Sequence, residues 1–512
     1  MRLQRSLAYR RCGVLLLWLG MLCLASTGCG SSPPKPRPQA SPSEPRDTWL
    51  VFYVQGNRFG YTHQTERPGT DDGQQVVEIE QDTHLGVRRY GQKTEPTFRT
   101  SSVETPDDRL ISFRVEGRFG QTLSTVTGRV ENGKLAIETE TAGQTRSRTI
   151  DWPDDARGLL AVEHALARKP MQPGEEREIR HFEPTTQTLI ADRLEAKEYE
   201  QTELLSGKQE LLRIESTSEI PGQRPLRTTL WTTRDGEMLK IRPPGIETVV
   251  YRAGEKEATA GADEPAFDLG EATLVKLSKP LENARSTRRV RYRVELANGD
   301  PAEVFAVGPT QQRVSTGPHT AEITVTSVDP KEPSCQGNTG TATDADREPN
   351  GKIQSDDPRI VAMAREVAAD HSDPADLAVA LEKFVYEKML FKRNYSTAFA
   401  TAAEVAESLE GDCSEHSVLL AALARACGIP ARVAMGLVYA PADQAFAYHM
   451  WTEVFLGECW VPLDATLGQG RVSADHLKLS DSNLDDATWL AGFAPIYEAL
   501  GQKPQIEVLE AE

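Results

Sequence analysis

Three residues define the chemistry open to this sequence. Cys413 stands in Gly411-Asp412-Cys413-Ser414, His449 in Tyr448-His449-Met450-Trp451, and Asp464 in Pro462-Leu463-Asp464-Ala465. A thiol, an imidazole and a carboxylate are the parts of a nucleophilic triad. The imidazole removes the thiol proton, the thiolate attacks a carbonyl carbon, and the carboxylate fixes the tautomer and direction of the ring. The attack leaves an acyl-enzyme, and the ring returns its proton to the departing amine. Water as the second acceptor makes a peptidase or amidase; an amine makes a transferase. Residue types alone do not bring the three groups together, so the elements that carry them decide.

Asp412 is a good helix N-cap, which puts Cys413 in the first turn. From 418 to 426 the helix is apolar nearly all round and therefore buried, and Gly428 and Pro430 stop it. The positive end of a helix macrodipole favours the thiolate, the attacking form. A lone cysteine near a cap is more often structural, so His449 and Asp464 carry the weight. The run 448–456 alternates like a strand, Gly457-Glu458 is a two-residue turn, and 459–464 is the returning strand. In that hairpin residue 456 faces 459 and residue 451 faces 464. His449, two residues from Trp451, then shares a face with Asp464 as a diagonal neighbour, about 6–8 Å away between Cβ atoms. A slip of one residue would put them on opposite faces.

The segment from about 402 to 479 resembles the bacterial transglutaminase-like superfamily. The matching residues are Gly411-Asp412-Cys413, Leu423, Arg425, Gly428-Ile429-Pro430-Ala431-Arg432, Gly436, His449-Met450-Trp451-Thr452-Glu453-Val454, Trp460 and Asp464-Ala465-Thr466. The resemblance implies a papain-like core, a nucleophilic cysteine on a central helix packed against an antiparallel sheet that bears the other two groups. Position by position, it makes Cys413 the nucleophile, His449 the base and Asp464 the orienting acid. In papain-like enzymes a side chain upstream of the nucleophile often completes the oxyanion hole, and Asn394 is the candidate here. Trp451 and Tyr448 are candidates for the wall of a substrate cleft, although packing is the commoner role of a tryptophan in a sheet. Arg432 is expected to be a structural ion-pair partner. Cys413-x-x-His416 has the spacing of half a zinc site, but no second pair accompanies it, so Glu415 and His416 are read as polar supports of the helix start. There is no Asp-x-Asp-x-Asp-Gly calcium loop either, and no metal or cofactor is expected.

The rest of the chain frames this core. At 512 residues it is too long for one ordinary domain. Net charge is −18, and no basic block follows the first dozen residues, which argues against nucleic-acid binding. Arg2, Arg5, Arg10 and Arg11 precede an apolar run over 14–24, the layout of a signal peptide at 1–28. Ala25-Ser26-Thr27-Gly28 before Cys29 resembles a lipoprotein processing site, with Ser26 where Leu is usual, so Cys29 is the candidate lipid anchor. An ordinary signal peptide with an incidental cysteine is the alternative. Residues 29–48 are Pro/Ser-rich and read as a disordered tether. Short alternating runs with Asn132-Gly133 and Asp235-Gly236 turns make 49–252 an antiparallel β domain, interrupted by a short helix near 158–168. A linker over 253–268 leads to a small β-sandwich-like domain at 270–330, with Asn298-Gly299 as a hairpin turn. A second linker over 330–358 precedes the catalytic domain at 357–480, and 481–512 is a C-terminal extension with a helix near 487–501 and a strand at 505–509. Cys427 and Cys459 could form a bridge, but two small core residues are the plainer reading. The fold class expected is thus α+β and multidomain, with N-terminal antiparallel β followed by a papain-like transglutaminase core.

The function expected is an extracytoplasmic, lipid-anchored thiol enzyme that acts on peptide or glutamine-type amides, hydrolysis being favoured over transfer. Its partners would be a peptide or protein substrate and the membrane that holds the anchor. The competing expectation is a non-enzymatic envelope scaffold that uses the same domains for recognition.

Overall fold

Alternation of apolar and polar residues builds the first half of the chain. The computed structural model describes residues 44–512 apart from 90–91, 120–121, 142, 185, 221–224, 245–246, 261–267, 269–272, 334–339, 392–399, 486–495, 497–498 and 500. The expected signal peptide, Cys29, most of the tether, Asn394 and most of the expected 487–501 helix lie outside the described residues. Fourteen strands from Arg46 to Ala253 form one antiparallel sheet. The chain enters in its middle: Arg46–Val54 pairs with Asn57–Asp71 on one side and with Thr248–Ala253 on the other. Asn132 and Gly133 both have positive φ, 51° and 70°, the turn that suits a tight hairpin between Glu131 and Lys134. Lys134–Thr141 then alternates exposed and buried residues without a break. Its inward Leu135 and Ile137 join Leu110, Phe113, Val115, Val126 and Phe182 in a common core. A helix at Ala161–Arg168 interrupts the strands close to where the sequence puts one.

The chain divides into two compact units between Phe267 and Asp268, at the end of the expected 253–268 linker. Asp268–Glu512, together with Arg88–Lys93, falls in one unit, and four expectations change within Asp268–Glu512. Residues 270–330 are not a separate sandwich. Arg289–Glu295, Gln311–Gly317 and Thr320–Thr326 form a single four-stranded sheet completed by Gln505–Ala511. Its buried Val290, Tyr292, Val294, Ile323 and Val325 need a cover, and the unit's own core supplies it; Tyr292 donates a 2.9 Å hydrogen bond to the Ala474 carbonyl. By the same pairing the C-terminal strand is an integral edge of this sheet, not an extension. Asn298-Gly299 is not a hairpin turn, because Arg289–Glu295 pairs with Thr320–Thr326 instead of the next strand in sequence. The chain runs from Gly299 into a one-turn helix, Pro301–Val304, capped by Asp300. Residues 330–358 are not simply a linker: Ile353 and Gln354 are fully buried, and Asn350 accepts the backbone N–H groups of Lys352 and Ile353. The polar composition that reads as a solvated loop is spent on internal hydrogen bonds.

Four helices follow: Pro358–Ala368, Pro374–Lys388, Ala402–Ser408 and Cys413–Ala426. Asp357, Asp373, Thr401 and Asp412 cap them in turn, each accepting a backbone N–H of the first turn. The last helix is the central one. Thirteen consecutive residues of it, Cys413 to Arg425, are buried, and the other three helices and the sheet all pack on it. That sheet has Ala445–Leu456 in contact with Ala431–Ala440, His476–Ser482 beyond it, and Cys459–Leu463 on the opposite edge. Among the described residues no helix is long and apolar enough to cross a membrane.

Gly436 ties this sheet to the site. It sits opposite His449 in the register, and a Cβ there would stand 2.1 Å from the Leu477 carbonyl oxygen of the other neighbouring strand. Gly436→Ala must force the two strands apart beside His449. We expect it to cost about 1–3 kcal/mol, the usual scale of overpacking, read as a lower denaturant midpoint with an unchanged slope.

Candidate active site

The helix that carries Cys413 starts with reciprocal caps. Asp412 accepts the Ser414 backbone N–H at 3.0 Å, and Glu415 reaches back to the Asp412 N–H at 3.0 Å. Both carboxyl groups are buried, and burial together with the neighbouring Asp412 pushes the Glu415 carboxyl well above its usual range. His416 donates from Nδ1 to the Asp412 carbonyl at 2.6 Å, and burial holds its pKa below the usual value, so it is a neutral support. Thr452 donates to the Ser417 carbonyl at 3.0 Å, which seats the first turns of the helix on the strand Ala445–Leu456.

That strand bears His449, and its register with Cys459–Leu463 pairs Leu456 with Cys459 and Thr452 with Leu463. The turn between them is Gly457-Glu458, both with positive φ (53° and 67°). The pairing puts His449 and Asp464 on one face, and His449 Nε2 donates to Asp464 Oδ2 at 2.7 Å. Asp464 Oδ1 accepts the backbone N–H groups of Thr466 and Leu467, at 2.9 and 3.3 Å. The carboxylate is fully buried. Burial works to raise its pKa, but His449 and His476 outweigh that and hold it far below the ordinary carboxylate range. His449 and Asp464 both lie within electrostatic reach of His416, one turn after Cys413 in the central helix.

Sequence reasoning missed His476. Its Nε2 donates to the same Asp464 oxygen at 3.2 Å, and its Nδ1 donates to Asp475 Oδ1 at 2.9 Å. Asp475 in turn accepts from Ser473 at 2.6 Å and pairs with Arg285, whose other nitrogen donates to the Tyr439 carbonyl at 2.9 Å. Both ring nitrogens of His476 donate to carboxylates, which is the bonding of an imidazolium. Burial alone would lower its pKa, but Asp475 and Asp464 overcome burial and push it up to about 9. The donor atoms of His449, Asp464 and His476 lie within 4.8 Å of one another, as metal ligands do, but each contact here is accounted for as a hydrogen bond. Glu382, on the helix Pro374–Lys388, is a buried carboxyl group within electrostatic reach of Asp464. It accepts the Gly470 N–H at 3.1 Å, and burial pushes its pKa up to about 8. Only the Asp475-His476 pair next to a strand start signalled this network, and nothing local to it points at Asp464.

The remaining expected residues divide. Arg432 is an ion-pair partner: it holds Glu453 at 2.8 Å and Asp481 at 2.8 Å, and its guanidinium lies 4.0 Å over the Trp460 ring. Lys478 completes that cluster at 2.7 Å from Glu453. Tyr448 and Trp451 are both buried. Alternation turns Tyr448 to the face opposite His449, and Trp451 is wedged against His449 and His476, with ring centroids 6.2 and 5.3 Å away. Their placement is packing, not an open wall. Cys427 is a free thiol that donates to the Ala364 carbonyl at 3.8 Å, so it forms no bridge with Cys459. Cys413 and Cys459 are both disulfide-bonded. Cys459 is therefore more than a small core residue.

Residues 361–465 match the transglutaminase-like superfamily, so the C-terminal unit carries a transglutaminase-like domain, of a family whose members typically work through a cysteine. A candidate cysteine protease from Cytophaga hutchinsonii superposes with a TM-score of 0.29 at 15% identity, over 43% of this chain and 86% of its own. A β-barrel-like protein from Brucella abortus, of a domain family of unknown function, superposes with a TM-score of 0.31 at 10% identity, over 41% of this chain and 94% of its own. An adenine deaminase from Ruegeria pomeroyi is 30% identical over 98 residues, 19% of this chain. The chain spans 14% of the length of that curated relative.

The charged His476 has a consequence for stability. Its folded pKa of about 9 lies above the unfolded value near 6.5, so its contribution is complete below about pH 6.5 and is lost as pH rises through about 9. We expect unfolding free energy to fall between pH 7 and pH 10 by up to about 3 kcal/mol, the linkage value of such a shift. Denaturant titrations across that range check it, and the slope should flatten in His476→Gln.

Proposed function

We propose that the chain is an extracytoplasmic thiol enzyme that cleaves peptide or glutamine-type amides through an acyl-enzyme at Cys413, with water favoured over an amine as acceptor. The observation that carries this is the 2.7 Å hydrogen bond from His449 Nε2 to Asp464, on a strand seated against the start of the Cys413 helix. With Nε2 committed to Asp464, His449 keeps Nδ1 for the thiol. Once Cys413 is reduced, Nδ1 accepts its proton as sulfur attacks the amide carbon. The tetrahedral oxyanion forms within reach of the backbone N–H groups at the helix start, where the macrodipole favours negative charge. Collapse breaks the C–N bond, the imidazolium gives its proton to the leaving amine, and water then repeats the cycle on the thioester. Asp464 stays ionised throughout and stabilises the imidazolium. The preference for water follows the family resemblance, whose bacterial extracytoplasmic members are associated with peptide-amide cleavage more than with protein cross-linking. The Arg-rich start and apolar run before Cys29 support export and lipid anchoring.

The test uses the reduced protein. Iodoacetamide near neutral pH should label Cys413 at least about tenfold faster than Cys427, as expected of a thiolate against a buried thiol, and His449→Ala should slow it. Equal, slow labelling of both would remove the enzyme reading. Mass spectrometry of products from a peptide library, with and without an added primary amine, then separates hydrolysis from transfer. Cys413→Ala should abolish either product while leaving thermal unfolding unchanged.

A further inference from the structure

The acyl-transfer reading uses one imidazole, yet the Asp464 carboxylate oxygen that meets His449 also meets His476. We propose that His476 is a positioning residue for the triad: a second, charged imidazole that fixes the Asp464 carboxylate and limits how strongly it stabilises positive charge on His449. This rests on the reading of Cys413, His449 and Asp464 as a triad.

The geometry is specific. Asp464 Oδ2 lies between the two imidazole Nε2 atoms, at 2.7 and 3.2 Å, and the ring centroids are 5.8 Å apart. His476 cannot turn away, because Nδ1 is held by Asp475, which is held by Ser473 and Arg285. Trp451 packs edge-on against it from the histidine strand. With Oδ1 occupied by the Thr466 and Leu467 N–H groups, the carboxylate is held from both oxygens.

The charges around the pair define the electrostatic effect. His476 is faced by Asp464 from the loop after Cys459–Leu463, by Asp475 beside it, by Arg285 from the turn Ala284–Ser286, and by His449 from its strand. Glu382 approaches Asp464 from the helix Pro374–Lys388 and, at neutral pH, is largely protonated by burial. His416 approaches from the Cys413 helix and is held neutral by burial. Two carboxylates, Asp464 and Asp475, are thus balanced by two cations, His476 and Arg285. A proton on His449 adds a third cation to a balanced set. Removing the charge of His476 leaves Asp464 uncompensated and makes protonation of His449 easier.

The experiment replaces His476 with Gln, whose side-chain amide keeps a donor for Asp464 but carries no charge. The readout is the titration of the His449 ring by NMR, in reduced full-length protein carrying Cys413→Ala so that titration of the Cys413 thiol is not mixed with that of the ring. The His449 pKa should rise by about one unit or more in His476→Gln, the scale of an adjacent unit charge. In reduced protein that keeps Cys413, His476→Gln should move the acidic limb of the pH–rate profile up by the same amount, because His449 must be unprotonated to accept the thiol proton. An unchanged or lowered His449 pKa overturns the proposal, since a purely structural residue would leave it unmoved. The NMR arm reads the coupling whether or not the protein turns over substrate, so a failure of the enzymatic reading is seen separately, as absent hydrolysis with the shift intact. If Gln prevents folding, Asn asks the same question with a shorter neutral amide.

Discussion

A fully buried carboxylate is the constraint on which the rest of the C-terminal unit is arranged. An isolated carboxylate in a protein interior is several kcal/mol out of balance unless each oxygen finds donors. Asp464 has four: two imidazoles on Oδ2 and two backbone N–H groups on Oδ1. Those donors come from separate places in the chain. His449 arrives on the long strand Ala445–Leu456, His476 on the far side of the sheet, and Thr466 and Leu467 from the turn that follows Asp464 itself. Any shift of one element leaves a donor or an oxygen unsatisfied, so the carboxylate locks the register of the strands as much as they lock it.

The surrounding architecture distributes this constraint. The hairpin at Gly457-Glu458 sets which face Asp464 shares with His449. Gly436, opposite His449, lets the strand Ala431–Ala440 lie close enough to His476–Ser482 for the second imidazole to reach in. Further along the same face, Glu453 is buried between Arg432 and Lys478, with Asp481 completing the charges. This cluster pins the same three strands a few residues from the site. The central helix is bound to them through Thr452 and the Ser417 carbonyl, and its reciprocal caps hold Asp412 and Glu415 in the first turn around Cys413. Burial of nearly the whole helix supplies the apolar part of the stability, and the caps and the Asp464 donors supply the direction.

What the sequence made legible was whatever depends on local order. The cap at Asp412, the hairpin turns at Asn132-Gly133 and Gly457-Glu458, and the facing of His449 and Asp464 all follow from spacing within a few residues of a turn. What it hid depends on pairing across the fold. His476 meets Asp464 only because Ala431–Ala440 lies beside His476–Ser482, a contact that no turn announces. Asn298-Gly299 looked like a hairpin because turn residues do not declare which strand comes next. Residues 330–358 looked like a linker because polar residues that bond internally have the same composition as polar residues in water. Gln505–Ala511 was legible as a strand, but not that it closes a sheet begun more than two hundred residues earlier.

The direction of proton transfer follows from the same bonds. An imidazole can present either nitrogen to a thiol, and the choice is made by what holds the other one. Here Asp464 takes Nε2 of His449, and Asp464 cannot rotate to release it, because Oδ1 is held by two backbone groups and Oδ2 by His476. The ring is therefore limited to one tautomer when neutral, with Nδ1 as its basic nitrogen. Holding that tautomer before substrate arrives removes a reorganisation that a solvated imidazole would make in every turnover. The cost is that three ionisable groups, Asp464, His476 and Asp475, are buried together, which the fold tolerates only because their charges and Arg285 balance.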